Sequence, residues 1–521
     1  MRITVSSRTF VLLALLAAVS ATTAYHCRKF VALRSVLAAA QLNPQPIQFP
    51  AFPVPASTID GWIATGNLPD MRQHGWALWA GLSAITPATN GLPTYETWYN
   101  ATEVENGPQL GATNAHAAVA SKFATLRAQG QSTHQFEFPE QLHEKRVHAA
   151  RPDLTATAGG LETTDLHAQT LTTTMFNAAY AASVWANNYQ NVTAPNSTVW
   201  NLQAGWGTST PVSKRLIKPF TPRSISLKPV YQFVNGPTHK GGITTLKYWL
   251  GDLTTGPANS TNAAYPDPST WNQCVTVTTG PNPIIPSNLT CFGTSTAPSG
   301  TIPVSNFYNY VITAAQATQA CAEITGSGFT GTCDLQAGDY AVLVAMHVST
   351  KENSNWTWQS FWFNYSTTVP ATFPYGAPPP SVLAPFSNYA MCTGYSMTTN
   401  PPNSSQGTNT QCYNPYLETG LAAPVHGVNS NCMSCHIVAS IGNNPNSLGN
   451  VIPANSFGYA TFASGTANIS VYNSADDKAF FDCQTATDFS WFLANWVAAT
   501  PPSTQAACVL TPAAKAPAHK K

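Results

Sequence analysis

The chain has 521 residues, of which 43% are hydrophobic and only 9% charged, against about 25% charged in an average globular protein. Its formal net charge of +1 leaves it without the basic footprint of a nucleic-acid or anionic-membrane binder, and its 14 Trp and 23 Phe supply more core material than a disordered chain carries. About 500 residues after removal of a leader exceed one small domain and predict two to three units.

Arg2 and Arg8 precede an apolar run over residues 9–21, which is short for a bilayer span and has Val19 and Ala21 at positions suited to cleavage. Residues 1–24 therefore read as a signal peptide, cleaved after Ala21 or Ala24, with an uncleaved N-terminal anchor as the alternative. Cys27 lacks a lipobox, because Ala24-Tyr25-His26 does not fit one. No later segment reads as a membrane span.

Residues 25–200 read as helix and loop. Helical spacing runs over 71–82 and again over the Ala/Thr/His stretch 164–186, with 92–99 as a loop between. His134, His143, His148 and His167, in the neighbourhood of Glu144, Lys145 and Arg146, read as a solvated surface rather than a metal cluster. Residues 201–370 read as a β-rich, sandwich-like domain, with runs at 224–234, 243–250 and 274–278 bounded by Gly, Pro and Asn. Residues 339–349 and 356–363 form a candidate hairpin around Lys351-Glu352-Asn353-Ser354-Asn355, and 311–323 a helical interruption. The Pro-rich segment 374–380 marks a linker. Residues 385–510 end in an amphipathic helix: Thr485-Ala486-Thr487-Asp488 resembles a capping box, Phe489, Phe492, Leu493, Trp496 and Val497 share one face, and Pro501 and Pro502 stop it. Residues 511–521 read as a disordered tail. The expected fold is thus α+β and multidomain: a helix/loop N-terminal region, a β-sandwich-like middle and a mainly helical C-terminal region.

That last region contains Cys432-Met433-Ser434-Cys435-His436. C-x-x-C-H is the signature of c-type haem attachment, in which two thiols form thioethers with the haem vinyl groups and the adjacent imidazole ligates iron. Chance alone would place it in a chain with 11 Cys and 12 His about 0.005 times. A zinc site or a redox disulfide are the bland alternatives, but no second C-x-x-C completes a cysteine-rich zinc site and no βαβ pattern surrounds the motif. The expectation is one haem c on Cys432 and Cys435, with His436 as proximal iron ligand. Haem attachment of this kind and the signal peptide both predict a periplasmic or secreted bacterial protein. Of the 11 cysteines nine lie outside the motif, and in an oxidising compartment their default is disulfide bonding. The simplest pairing joins sequence neighbours, 274–291, 321–333, 392–412 and 483–508, and leaves Cys27 over, although spacing alone does not fix connectivity.

No methionine follows Met433, so a sixth iron ligand has to come from upstream or the site is open. His347 leads the candidates, because it stands in the otherwise apolar strand pattern of residues 341–348, where alternation sets it beside Ala341, Leu343 and Ala345. The competing reading is a core histidine hydrogen-bonded to backbone. Trp356, Trp358 and Trp362 fall on one strand face, as core or as the wall of a haem pocket. Met391, Met397 and His74 are weaker ligand candidates, and His426 is too near the motif to reach the opposite haem face. A second histidine would give a lower potential than His/Met ligation.

His74-Gly75-Trp76, Tyr95-Glu96-Thr97-Trp98, Met346-His347, Trp356-Thr357-Trp358, Asn414-Pro415-Tyr416-Leu417-Glu418 and residues 431–436 together resemble an uncharacterised group of large secreted bacterial monohaem cytochrome-c-like proteins. The resemblance spans most of residues 60–500, and only its C-x-x-C-H element is chemically specific. It implies a monohaem c-type protein and no assigned reaction. Where such proteins often carry Phe-Glu after the W-x-W segment, this chain has Phe361-Trp362, so no acid role is carried over.

Two function classes follow. One is electron transfer to or from an extracytoplasmic redox partner protein or small-molecule donor or acceptor. The other is a haem enzyme, peroxidase- or oxidase-like, with an open or weakly ligated distal site. A carbohydrate-binding surface on the β region is a third, weaker reading. No P-loop, dinucleotide fingerprint, H-E-x-x-H zinc site or nucleophile elbow is present.

Overall fold

The computed structural model describes residues 44–107, 122–129, 131–138, 164–192, 197–204, 215–248, 273–365, 377–396, 412, 414–417, 432–436, 439–442 and 484–498. The signal-peptide segment, Cys27, Met397, His143, His148, His426, Cys483, Cys508, Pro501, Pro502 and the 511–521 tail lie outside them.

The chain is mixed α+β, with a helical N-terminal region and antiparallel sheets. Its centre is an eight-stranded sheet ordered β1 (Tyr99–Asn100), β3 (Met175–Phe176), β4 (Ile225–Val234), β9 (Tyr340–Thr350), β10 (Thr357–Phe363) and β11 (Tyr389–Thr393). On it β2 (Leu171–Thr172) pairs with β4, and β8 (Asn309–Val311) pairs with β9. All these pairings are antiparallel. A second sheet holds β5 (Ile243–Tyr248), β6 (Gln273–Thr278) and β7 (Thr301–Pro303). A two-stranded ladder joins β12 (Ser440–Gly442) to β13 (Gln484–Ala486). The eight-stranded sheet takes strands from both sides of residue 200 and from beyond 385, so it crosses the boundaries that composition suggests.

The strands expected from alternation form where expected, including the β9–β10 hairpin, in which His347 lies opposite Ser360 and Trp358 opposite Ser349. The register of β4 on β9 shifts between Val230 and Tyr231, so strict alternation along β9 holds from His347 to Ala345 and is interrupted before Leu343. The 164–186 stretch is only half helical. Its β-branched Thr170–Thr174 portion is extended and supplies β2, while helix α3 (Ala178–Ala186) starts after Asn177, whose side chain accepts the Tyr180 N–H at 3.0 Å.

Helix α2 (Leu68–Ser83), preceded by α1 (Ala56–Thr65), covers one face of the sheet. Met71, Gly75, Leu78, Trp79 and Leu82 bury a stripe at helical spacing. Trp79 stacks on Phe361 of β10 with centroids 4.1 Å apart and donates its indole N–H to the Phe386 carbonyl. Helix α4 (Ala314–Gly326) starts at a Thr313/Gln316 capping box close to the expected helix. Three disulfides join sequence neighbours as expected: Cys274–Cys291, Cys321–Cys333 and Cys392–Cys412. They fit an oxidising, extracytoplasmic setting. Among the described residues no helix is long and apolar enough to cross a membrane.

His134 departs from the expected solvated surface. It is buried, with Nε2 2.9 Å from Glu96 Oε2 and Nδ1 2.9 Å from the Tyr310 hydroxyl. Burial, with the Glu96 charge added, lifts the Tyr231 and Tyr310 hydroxyls well above their ordinary range. His167 also turns inward, its Nδ1 bonded to the Phe233 carbonyl at 2.8 Å.

Trp79→Ala removes a fully buried ring and its stacking partner's contact, so urea unfolding should show a loss of roughly 3–5 kcal/mol. A loss below about 1 kcal/mol would mean that α2 is not a cover of this sheet face.

Candidate functional site

Helix α5 (Cys432–His436) is a single short turn that packs against β10. Cys432 is a buried thiol, and it shares a hydrophobic cluster with Met433, Trp356, Trp358, Ile441, Phe489 and Leu493. Cys435 lies in the same turn, and its side chain falls outside the described atoms. The His436 ring lies 4.4 Å from the Trp358 ring, centroid to centroid.

His436 Nδ1 is 2.8 Å from the Phe489 carbonyl oxygen, which can only accept, so Nδ1 carries the proton and Nε2 is the basic nitrogen. Burial pushes this imidazole down to about 3, against the Phe489 hydrogen bond and with the charges of His347 and Lys228 adding to the depression. The ring is therefore neutral at physiological pH, the state a metal-ligating histidine requires.

The strand register places the other candidates. His347 lies across from Ser360 on β10 and from Lys228 on β4, and directly opposed residues share a face. Trp358 is two residues from Ser360 and so belongs to that face as well. His436, packed on Trp358, thus stands over the sheet face that carries His347, close enough for His347 to act on it electrostatically.

Met391 and His74 sit on the other side of the sheet. Met391 pairs with Phe361, one residue out of phase with Ser360, and lies so close beneath α2 that a Cβ on Gly75 would stand 2.7 Å from its sulfur. His74, on α2, has both ring nitrogens engaged: Nδ1 by the Tyr395 hydroxyl and Nε2 by the Glu352 carboxylate at 3.2 Å. The structure brings together His436, Cys432, Trp358 and His347, and sets His74 and Met391 apart from them by the thickness of the sheet.

The turn before the last helix differs from its sequence reading. Thr485 and Ala486 are in β13, and α6 (Trp491–Ala498) starts at Ser490, whose hydroxyl accepts the Leu493 N–H at 3.1 Å. Residues 487–490 form a tight turn that clips onto the end of the motif. The Thr487 amide and hydroxyl both donate to the Ala439 carbonyl, at 2.9 and 3.0 Å. Asp488 accepts the Phe220 N–H at 2.8 Å through Oδ2 and the Lys351 ammonium at 2.6 Å through Oδ1. Lys351 also donates to the Ser354 carbonyl at 2.8 Å within the hairpin turn. Burial pulls the Lys351 ammonium down and pushes the Asp488 carboxyl up, and each charge opposes the other's shift.

Phe489, Asp488 and Lys351 were not legible as site residues. The first acts through its backbone carbonyl, and the other two are 137 residues apart in sequence. The one signal in the sequence is the rarity of charge itself, only 9% of residues.

No protein-family model matches this chain, and neither a curated protein nor a solved structure is detectably similar to it.

Asp488→Ala would strand the buried Lys351 ammonium and remove an acceptor from the Phe220 N–H. Denaturant unfolding should show a loss of about 3–5 kcal/mol. A loss under about 1 kcal/mol would place the pair among exposed, weakly coupled charges.

Proposed function

We propose that the chain is an exported monohaem c-type cytochrome: one haem c would be held by thioethers to Cys432 and Cys435, with His436 as first iron ligand and His347 as second, and would serve electron transfer with an extracytoplasmic redox partner. The observation that carries this reading is the hydrogen bond from His436 Nδ1 to the Phe489 carbonyl, made by a histidine that stands over the face bearing His347. Such a bond fixes the tautomer and orientation of a metal-ligating imidazole and raises its basicity, leaving Nε2 to the metal.

The donor set fits the group. The C-x-x-C-H spacing supplies two thiols and an imidazole in one turn, Cys432 is a buried thiol outside the three disulfides, and aromatic and aliphatic side chains surround the turn. Bound haem supplies one-electron exchange between ferric and ferrous iron. What the chain itself does is orient His436 through Phe489, exclude water with Trp358, Phe489 and Leu493, and present His347 from a central strand braced on both sides by β4 and β10. On this reading residues 385–510 are the cytochrome-c-like haem region. The β-rich region before it, of sandwich-like kind, is a cover and ligand donor. The setting is the periplasm or the exterior of a bacterium.

Intact mass spectrometry of the protein exported from a host with haem-attachment machinery should show one haem retained after denaturation, and Cys435→Ser should lose one thioether link. Visible spectra should report six-coordinate low-spin iron inert to carbon monoxide, and His347→Ala should open a site that binds it. A protein without covalently retained haem would end this reading. Wild-type iron that is high-spin and takes up carbon monoxide readily would replace electron transfer by the haem-enzyme alternative.

A further inference from the structure

Two consecutive residues with side chains, Asp488 (φ 50°) and Phe489 (φ 68°), hold left-handed backbone conformations immediately before α6. That region is disfavoured for any residue with a Cβ, most of all for a bulky one, and persists only where the surroundings over-determine it. Here they do. Thr487 is tied to Ala439 and to Ser490, and the Ser490 hydroxyl meets that of Tyr180 at 2.6 Å. Asp488 is held through both carboxylate oxygens, by the Phe220 amide and by the Lys351 ammonium. What the strained turn achieves is aim. It directs the Phe489 carbonyl at His436 Nδ1.

Lys351 reaches this turn from the β9–β10 hairpin, the same element that carries His347 and Trp358. Its ammonium is itself oriented by the Ser354 carbonyl and lies 5.5 Å from the centre of the Trp356 ring. One hairpin therefore carries His347, which would serve as the second ligand, and also reaches His436 through Lys351, Asp488 and Phe489.

We infer that Lys351 and Asp488 are positioning residues for the proximal imidazole, their ion pair holding the Asp488–Phe489 turn in its left-handed form and so setting how strongly the Phe489 carbonyl accepts the His436 Nδ1 proton. The inference rests on the haem reading above. A stronger hydrogen bond makes the ring a more basic ligand, which favours ferric iron and lowers the potential. Loosening the clamp should raise it.

Charge and positioning predict different signs, which makes the test decisive. As a bare charge, removing the Lys351 ammonium favours ferric iron and lowers the potential, whereas removing the Asp488 carboxylate raises it. As a clamp, removing either raises it. Midpoint potentials are to be measured by spectroelectrochemistry on the full haem-loaded chain for K351M, D488N, the double variant and K351R, with the electron paramagnetic resonance g-values of the ferric forms. The expected result is an upward shift in K351M, D488N and the double variant, with the double close to the singles rather than their sum, changed g-values in all three, and return toward wild type in K351R. Shifts of opposite sign in K351M and D488N, or g-values and potentials that do not move, overturn the clamp. If K351M does not fold, D488N, which keeps an oxygen for the Phe220 amide, carries the test through its g-values. An unsubstituted chain that retains no haem overturns the haem reading itself, whereas haem present with unmoved g-values and potentials overturns only the clamp.

Discussion

The 2.6 Å contact between Lys351 Nζ and Asp488 Oδ1 is where the sheet and the C-terminal segment become one object. Both partners are buried or nearly so, so the pair is expensive to form, and an apolar pair of the same volume would cost less to bury. What an ion pair supplies that an apolar pair does not is a direction. Lys351 fixes where Asp488 stands, Asp488 fixes the turn, and the turn decides where the Phe489 carbonyl points. The neighbouring residue in the hairpin, Glu352, makes the same kind of commitment on the opposite side, accepting the Val54 N–H at 2.7 Å and meeting His74 on α2. Two adjacent residues of one turn thus anchor the covers of both sheet faces.

The two faces are chemically different. Beneath α2 the buried polar groups are tied to one another: Gln359 donates to the Tyr395 and Thr357 hydroxyls at 2.8 and 2.9 Å, and Tyr395 meets His74. Such a network stiffens a core and leaves its histidine engaged at both nitrogens. The face under the C-x-x-C-H turn has a different character, with an indole against His436 and one hydrogen bond that engages the imidazole from behind. The sheet keeps these two histidine environments apart.

Much of this was legible in the chain. The β9–β10 hairpin is a period-two apolar pattern around a polar turn, and α2 a helical stripe of Trp, Leu and Met, so local periodicity suffices for both. Neighbouring cysteines pair because the chain brings their Cα atoms to 5.5, 5.6 and 5.4 Å, within disulfide reach. Strand alternation sets Trp358 with Trp362 on one face and His347 with Ala345 on another, and only the register of the hairpin makes these the same face. The burial of His134 is not legible locally, because its partners, Glu96 and the Tyr310 hydroxyl, lie far away in sequence and a histidine in a polar stretch carries no local mark of burial. The start of α6 was displaced for a related reason. Thr485 to Asp488 has the composition of a capping box, but Asp488 is drawn off by Lys351 and Phe220, and tertiary contacts override the local preference.

The three disulfides close loops with sequence separations of 17, 12 and 20 residues. Each therefore fastens its own neighbourhood, and none of them links the segment bearing Cys432 to the sheet it lies on. Among the described residues that docking is wholly non-covalent, made of the Asp488–Lys351 ion pair, the His436 ring against Trp358 and the packing of Phe489 and Leu493. The hold of that segment on the sheet therefore depends on the burial of one ion pair and a few rings, and not on the oxidation of the three disulfides.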